Sequence, residues 1–203
     1  MSKASVICSG CNAGHTIEVP ASINAAREPE LKELAHSGDL FTWECPSCGK
    51  TNLVSFPLLY HDPDEKLMLW LAPSDDEVAR IKPALDAAPE MEHYTLRVVA
   101  GPGDFLEKLK IHEAGLDDVV IEICKYVTCN EMEKDIELRF FRMDGADGNL
   151  VFTYPKDGRM EMVAVGFNVY EDCRGIVERN PQIKEAARGL VRIDPDWLRR
   201  FFA

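Results

Sequence analysis

The sequence predicts an α+β fold, and three observations support that prediction. Two closely spaced cysteine pairs occupy the first quarter of the chain. Two helical segments follow, over residues 104–113 and 117–129, the second with Asp117 as its cap. Three strand-like runs come next, separated by turn-forming residues, and they predict an antiparallel three-stranded meander. Strands and helices that are segregated along the chain in this way are typical of the α+β class.

The N-terminal segment is predicted to be a small module with one inserted helix. Residues 28–38 lie between the cysteine pairs and read as a short helix, with proline near its start and glycine at its end. After the second pair, residues 51–56 and 66–72 are both apolar and strand-like. We expect them to be two strands of one small sheet, joined by the segment 57–64.

An acidic segment separates this module from the rest of the chain. Residues 75–92 are rich in carboxylates, and prolines at positions 73, 83 and 89 interrupt the region. This composition predicts an exposed connection that holds at most a short helix. The predicted organisation is therefore an N-terminal module over residues 1–74, the connection over 75–92, and a C-terminal α+β part over 93–203.

The C-terminal part is predicted from its turns and helix starts. The three runs of the meander cover residues 136–143, 150–154 and 160–165. Residues 168–188 read as helix or loop. A last helix is predicted to begin at Asp194 and Pro195, because an aspartate cap followed by proline suits the first turn of a helix.

Composition excludes a membrane protein and indicates a cytoplasmic one. The longest apolar runs, such as residues 67–72, are far shorter than the roughly 20 residues that cross a bilayer. The N-terminus reaches a cysteine before any apolar stretch long enough for the core of a signal peptide. We therefore expect no membrane span and a cytoplasmic location.

The charge distribution argues against a nucleic-acid partner. The net charge is −12, and residues 1–74 hold 5 Lys or Arg against 9 Asp or Glu. Residues 75–203 hold 18 against 26. Binding to nucleic acid needs clustered basic side chains that displace counterions from phosphates, so we expect a protein partner instead.

The cysteine spacing predicts a metal site. Seven cysteines are an odd number, which does not suit a disulfide framework. In a reducing cytoplasm, paired cysteines are metal ligands or a redox couple, and neither pair here precedes a helix as thioredoxin-like chemistry requires. Four thiolates suit one tetrahedral zinc ion and leave no open position for catalysis. The predicted zinc ligands are Cys8, Cys11, Cys45 and Cys48.

Two histidines are weaker candidates. His15 follows Cys11 by four residues, but with four cysteines present we expect it to lie outside the ligand set. His61 and Asp62 are neighbours that would form an acid–base pair if their side chains met. The other interpretation is a turn in which the histidine satisfies backbone groups, since neighbours in sequence need not have side chains in contact.

The sequence resembles a known family. Besides the cysteine pairs, the resemblance rests on residues 22–24, 29–32, 38–41, 56–62, 110–111 and 113–118. These resemble the bacterial and archaeal CpXC family over roughly residues 5–128, although the first pair, Cys-Ser-Gly-Cys, lacks the proline of the family name. The resemblance implies a zinc-binding module and no particular activity.

Two hypotheses of function follow. The favoured one is a non-enzymatic adaptor in which a zinc ribbon scaffolds a surface for protein contacts, because the predicted metal shell is closed and the sequence offers no nucleophile, base and oxyanion constellation. The alternative is an enzyme with a site at the junction of the two parts, near His61 and Asp62. A cleft that held His61 beside a second titratable group would favour the enzyme.

Overall fold

The computed structural model divides the chain into two compact units. Unit 1 is Met1–Leu106 and unit 2 is Glu107–Ala203. The division falls within a helix, α3 (Pro102–Glu113). The structure describes residues 1–72, 74–88, 91–146 and 148–202, so Pro73 and Pro89 of the predicted connection lie outside the described residues.

Unit 1 combines two hairpins, a four-stranded sheet and two helices. The hairpins are β1 (Ser2–Ile7) with β2 (Gly14–Val19), and β4 (Thr42–Glu44) with β5 (Thr51–Leu53). The sheet contains β3 (Ser22–Asn24), β6 (Leu58–Asp62), β7 (Leu67–Leu71) and β8 (Thr95–Val99), in the order β3-β6-β7-β8. The helices are α1 (Pro29–Ser37) and α2 (Asp75–Asp86), with a 3-10 turn at Asp39–Phe41.

The strand pairing in unit 1 differs from the predicted one. Residues 51–53 pair with β4 in the second hairpin, and β7 lies between β6 and β8 in the mixed sheet. The prediction that these two runs share one sheet is therefore wrong. The segment between them also contains a strand, β6, which pairs antiparallel to β7 and parallel to β3. Every residue of β7 is buried, as expected for the centre of a sheet.

The inserted helix is confirmed, and its end is built on glycine. Gly38 has φ +88° and its amide donates to the carbonyl of Leu34, which closes α1 in the left-handed conformation. The segment 75–86 forms a helix of 12 residues, longer than predicted. Asp75 and Asp76 at its start favour it, because carboxylates stabilise the positive end of the helix dipole.

Aromatic rings fill the core of unit 1. Phe41 packs against Phe56 and Phe105 with ring centroids 5.6 and 5.4 Å apart. Tyr60 meets Phe105 edge-on, with centroids 6.0 Å apart. These rings join the turn after α1, strand β6 and the start of α3 in one aromatic core.

Unit 2 has the α+β arrangement that the sequence predicts. After α3 come α4 (Asp118–Glu131), β9 (Arg139–Asp144), β10 (Asn149–Lys156), β11 (Arg159–Val165), α5 (Phe167–Arg179), α6 (Pro181–Ala186) and α7 (Pro195–Arg199). The strands form an antiparallel sheet in the order β11-β10-β9. Asp117 caps α4 by accepting from the amide of Val119, and Asp194 caps α7 by accepting from the amide of Trp197.

Charged side chains are buried beside the apolar core of unit 2. Lys108 pairs with Asp118 at 2.8 Å, and Lys125 pairs with Glu122 at 2.8 Å and with Glu107 at 3.3 Å. Each of these side chains is less than a tenth exposed. Burying a charge costs free energy, and in these pairs the attraction between close, opposite charges offsets that cost. None of the helices in the described ranges is long and apolar enough to cross a membrane.

Candidate metal centre

The two cysteine pairs lie in the turns of the two hairpins of unit 1. Cys8 and Cys11 stand between β1 and β2, and Cys45 and Cys48 stand between β4 and β5. In the first hairpin the last pair before the turn is Ile7 with Gly14, and in the second it is Glu44 with Thr51, so the cysteines lie at the tips of the hairpins. Two turns that carry two thiols each thus face one another.

The four sulfur atoms form one compact cluster. All of them lie within 4.8 Å of one another. The Cys8 and Cys48 sulfurs are 3.5 Å apart, and the Cys11 and Cys45 sulfurs are 3.7 Å apart. A tetrahedron of sulfurs with metal–sulfur bonds of about 2.3 Å has edges of about 3.8 Å. The closest sulfur contacts therefore match a tetrahedral metal site, and each joins one hairpin to the other.

The two turns have the same backbone design. The amide of Asn12 donates to the Cys8 carbonyl at 2.9 Å, and the amide of Gly49 donates to the Cys45 carbonyl at 2.8 Å. Asn12 and Gly49 are both four residues after the first cysteine, and both have positive φ, 58° and 72°. This left-handed residue lets the chain fold back under the sulfurs, and asparagine and glycine adopt it most easily.

Gly10 is required by close packing between the turns. A Cβ at this position would lie 2.8 Å from Cδ of Lys50 and 3.4 Å from Sγ of Cys48. Its amide lies 3.3 Å from Sγ of Cys8, to which it donates. The missing side chain therefore allows the backbone at Gly10 to approach Cys48 of the other turn, and its amide stabilises charge on the Cys8 sulfur of its own turn.

Asn52 links the two hairpins behind the sulfurs. Its Oδ1 accepts from the amide and from the hydroxyl of Ser9, both at 2.8 Å. Its Nδ2 donates to the Lys50 carbonyl at 2.8 Å and contacts Sγ of Cys8 at 3.6 Å. The side chain is buried. One amide group thus holds the register of both turns and donates to one of the candidate ligands.

His15 lies beside the cluster without belonging to it. Its Nε2 is 3.7 Å from Sγ of Cys45 and 3.5 Å from Oγ of Ser47. The ring also packs on Trp43, with centroids 5.1 Å apart. The group of candidate ligands contains the four cysteines alone among the described residues. His15 is therefore placed to hydrogen-bond a sulfur from outside this group, and its exclusion from the ligand set stays a prediction.

Hydrogen bonds at the first turn favour the thiolate form of one cysteine. The backbone amides of Cys11 and Gly10, with the side chains of Cys48 and Asn52, lower the pKa of Cys8 to about 6 despite burial, while the contact with Cys8 helps to raise the pKa of Cys48 to about 12. A metal ligand must be deprotonated to bind. The surroundings of Cys8 therefore already stabilise the charge that metal binding requires.

The donor set fits zinc. Four sulfurs in a tetrahedral arrangement suit zinc or iron–sulfur chemistry and do not suit hard cations such as magnesium or calcium. The burial is asymmetric, because Cys8 and Cys45 are buried while Cys11 and Cys48 are exposed. The first cysteine of each pair thus lies against the protein, and the second lies at the surface.

The structure separates the side chains of His61 and Asp62. They occupy successive positions of β6 and therefore project to opposite faces. His61 Nε2 lies 3.2 Å from the Tyr94 hydroxyl. Asp62 pairs with Lys32 at 2.8 Å and accepts from the Tyr60 hydroxyl at 3.3 Å. Burial alone would raise the pKa of Asp62, but Lys32, the Glu65 amide and the Tyr60 hydroxyl together outweigh it and hold that pKa below its usual range.

The remaining cysteines belong to unit 2. Cys124 and Cys173 are buried in its core and interact with each other, and this contact and burial together raise the pKa of the Cys124 thiol. Cys129 is half-buried, and its sulfur contacts the Ile136 carbonyl at 3.3 Å.

The cysteine spacing did not indicate Asn52, because an amide that supports a metal site has no fixed distance from its ligands in sequence.

Comparison with protein families identifies the N-terminal half. A model described as CpXC protein matches residues 6–125, which is more than half of the 203 residues. A comparison with curated proteins gave no match, and neither did a comparison with solved structures. The matched segment contains all four cysteines of the cluster.

Proposed function

We propose, from the premise that this chain belongs to the CpXC protein family, that unit 1 binds one structural zinc ion through Cys8, Cys11, Cys45 and Cys48. The observation that supports this proposal is the meeting of four sulfurs from two hairpin turns. Zinc would join these turns directly, in addition to the hydrogen bonds of Asn52, so the two hairpins would constitute a zinc ribbon. Such a site needs reduced thiols, which agrees with a cytoplasmic location.

The proposed metal has a structural role. Four protein ligands complete a tetrahedral shell, whereas catalytic zinc keeps a position for water or substrate. The bound ion would therefore hold the hairpins together and leave chemistry to other groups. Binding of structural zinc contributes about 10–16 kcal/mol, as much as the whole stability of an ordinary domain.

Elemental analysis of protein purified under reducing conditions tests the zinc. We expect one zinc per chain, and Cys45→Ser to lose the metal and lower the melting temperature strongly. Cys173→Ser is the matched control, because it replaces an equally buried thiol outside the cluster and costs only the burial of a hydroxyl. Metal-free wild-type protein, or equal zinc content in both variants, would refute the assignment.

We further propose that this protein is an adaptor and that the zinc-bearing hairpins form its surface for contacts with a partner protein. Ile7 is 75% exposed and Leu53 is 84% exposed, and each is next to a residue of the metal centre, Cys8 and Asn52 respectively. Apolar side chains at such positions gain little from the fold of their own chain. Exposed apolar groups on a rigid, metal-braced scaffold are typical of contact surfaces.

The adaptor proposal is tested by capture and then by direct binding. Zinc-loaded protein is used to isolate partners from the native host, and each partner is purified and titrated. We expect the double variant Ile7→Ser with Leu53→Ser to weaken binding by about tenfold or more. Met160→Ser with Met162→Ser is the matched control, since these side chains are also exposed but lie in unit 2. Equal affinities for the two double variants would contradict the proposed surface.

One observation supports the alternative enzyme. The Tyr94 hydroxyl lies within hydrogen-bond distance of His61, so the histidine does have a titratable neighbour. Asp62, however, is engaged by Lys32 and cannot orient His61 from the opposite face of the strand. A cavity of about 450 Å³ lies in unit 2, among residues 122–199, and His61 is not among the residues that line it. The adaptor therefore remains the function that we propose.

Duplex DNA is not the partner that we propose. The five basic residues in 1–74 are outnumbered by nine carboxylates, so repulsion would dominate the approach to phosphates. A titration with duplex DNA at about 150 mM salt should show no submicromolar binding. Tight binding that weakens steeply with added salt would overturn the adaptor proposal.

A further inference from the structure

Unit 2 contains a cavity that the metal centre does not use. Its volume is about 450 Å³, which is within the range of about 300–1,000 Å³ that is typical of small-molecule sites. It lies between α4, the segment that follows α4, and α7. The lining residues are Glu122, Lys125, Tyr126, Cys129, Asn130, Glu133, Lys134, Asp135, Ile136, Glu137, Leu138, Pro195, Leu198 and Arg199.

The cavity lining combines buried apolar side chains with two buried charged ones. Leu138 and Leu198 are buried, and Ile136 and Cys129 are half-buried. Among the lining side chains that the structure describes, Glu122 and Lys125 are the charged ones that are buried. A ligand that entered would therefore cover its body with apolar groups and meet charge at Glu122 or Lys125.

The net charge of these two residues and the neighbouring Glu107 is negative. Lys125 lies between two carboxylates, Glu122 at 2.8 Å and Glu107 at 3.3 Å. One ammonium therefore faces two carboxylates in a buried site. Glu107 is further satisfied by the amide of Phe140, which donates to it at 2.6 Å. Glu122 is the carboxylate of the pair that also lines the cavity.

Glu122 has an oxygen available to a ligand. Its contact with Lys125 uses Oε2, and among the described residues no hydrogen bond or ion pair engages Oε1. Burial raises the pKa of Glu122 above its usual value, against the attraction of Lys125. A second cation at Oε1 would balance the two carboxylates, whereas an anion would meet both of them.

We propose that this cavity binds a small organic cation, with a primary ammonium group on Oε1 of Glu122 and an apolar body against Ile136, Leu138 and Leu198. Glu122 accepts a charge-assisted hydrogen bond from the ammonium and sets the preference for cations. Lys125 lies between the Glu107 carboxylate and Oε2 of Glu122, so its contact with Glu122 uses the oxygen that the proposed ligand does not. The exposed rim, which includes Asn130 and Glu133, surrounds the entrance.

Three probes of similar size test the charge preference. They are 2-phenylethylammonium, 2-phenylethanol and phenylacetate, each titrated calorimetrically into the full-length, zinc-loaded protein at pH 7. We expect the ammonium to bind with a dissociation constant of about 1 mM or lower. It should bind about tenfold or more tightly than the alcohol, the scale of one hydrogen bond to a charged group, and phenylacetate should bind more weakly than both. Failure of the ammonium to bind, or equal binding of the three probes, overturns the proposal.

Variants locate the binding and separate it from folding. In Glu122→Gln the preference for ammonium over alcohol should disappear, while Glu131→Gln, an exposed change on the same helix, should keep it. Asn130→Trp fills the entrance from an exposed position and should reduce binding of both probes even if the first variant does not fold. Unchanged ammonium binding in Asn130→Trp, or an unchanged preference in folded Glu122→Gln, would place the site elsewhere and overturn the proposal.

Discussion

Asn52 shows how a single side chain supports the metal centre. It receives two hydrogen bonds from Ser9 on one hairpin and donates to Lys50 on its own. It also contacts the Cys8 sulfur. Groups that hydrogen-bond metal ligands orient them and tune their charge, and their loss weakens metal binding although the ligands remain.

Asn52→Ala should therefore bind zinc about 10–100-fold more weakly than the wild-type protein. The expected reason is that Ser9 and the Cys8 sulfur lose a buried partner while all four ligands are kept. Competition with a chromogenic chelator measures the affinity. Asn168→Ala is the control, because Asn168 is an exposed residue of unit 2. Identical affinities for the two variants would show that Asn52 does not support the site.

Glu122 gives a pH-dependent prediction. Burial raises its pKa in the folded protein above the value of about 4.3 in the unfolded chain. Folding therefore favours the protonated form, and the stabilisation that results is fully present at a pH below the pKa of the unfolded chain. It is lost as the pH rises through the folded pKa, so burial of the ionised carboxylate disfavours folding at neutral pH, while its attraction to Lys125, which raises the pKa of that lysine, offsets part of the cost.

Glu122→Gln should accordingly raise the melting temperature at pH 7 relative to wild type, and the difference should shrink as the pH falls to about 4. Lys125 retains Glu107 in this variant, so the substitution leaves no unpaired ammonium. Thermal unfolding followed by calorimetry of the full-length protein measures the effect. If Glu122→Gln instead melts at a lower temperature than the wild-type protein at pH 7, and this loss is larger than at pH 4, the ion pair with Lys125 stabilises the fold.

That the four cysteines come together could be predicted, and which residues support their two turns could not. Two thiols separated by two residues already imply a turn that presents both, so Cys8, Cys11, Cys45 and Cys48 were found from spacing alone. The supporting contacts of Asn52 and Gly10 depend on how one hairpin meets the other. That meeting is a tertiary event without a local pattern in the sequence.

At the scale of elements, the end of α1 depends on Gly38. Its φ of +88° suits glycine, and an added Cβ would lie 3.1 Å from Cδ1 of Leu106. Gly115 offers a comparison, since its φ is +68° and an added Cβ would meet nothing within 4 Å. The two positions share the backbone strain and differ in the contact.

Gly38→Ala should therefore destabilise the protein more than Gly115→Ala. The strain of a left-handed alanine is about 1–2 kcal/mol at either position, and the contact with Leu106 adds to it at position 38. Chemical unfolding with urea measures both variants. Equal losses would mean that Leu106 moves aside without cost.

Helices were predicted better than strand partners. Prolines, glycines and aspartate caps mark helix ends within the local sequence, and α1, α4 and α7 begin or end where such residues predicted. Strand pairing joins distant segments, and β7 is buried on both faces, so it carries no alternation that identifies its neighbours. The parallel partner of β7 therefore had to come from the structure.

At the scale of the whole molecule, the two units draw their stability from different sources. Unit 2 has an apolar core shared by α4, the meander and the helices that follow it. In unit 1 the hairpins that carry the cysteines are thin, since every residue of β1 is at least partly exposed and β5 buries one residue. The mixed sheet of unit 1 has its own buried strand, β7.

Removing the proposed zinc should therefore unfold the chain in part and in order. Hydrogen exchange in the presence of a chelator and a reductant should show loss of protection first in residues 2–19 and 42–53, because these hairpins bury too little apolar surface to persist without the metal. Protection in α4, β9 and β10 should persist, since their core contains no cysteine of the cluster. Cys45→Ser should show the same pattern without chelator, and added zinc should restore protection in the wild type alone. Simultaneous loss of protection in the hairpins and in α4 would contradict separate stabilisation, because it would make the metal centre a support for the entire chain.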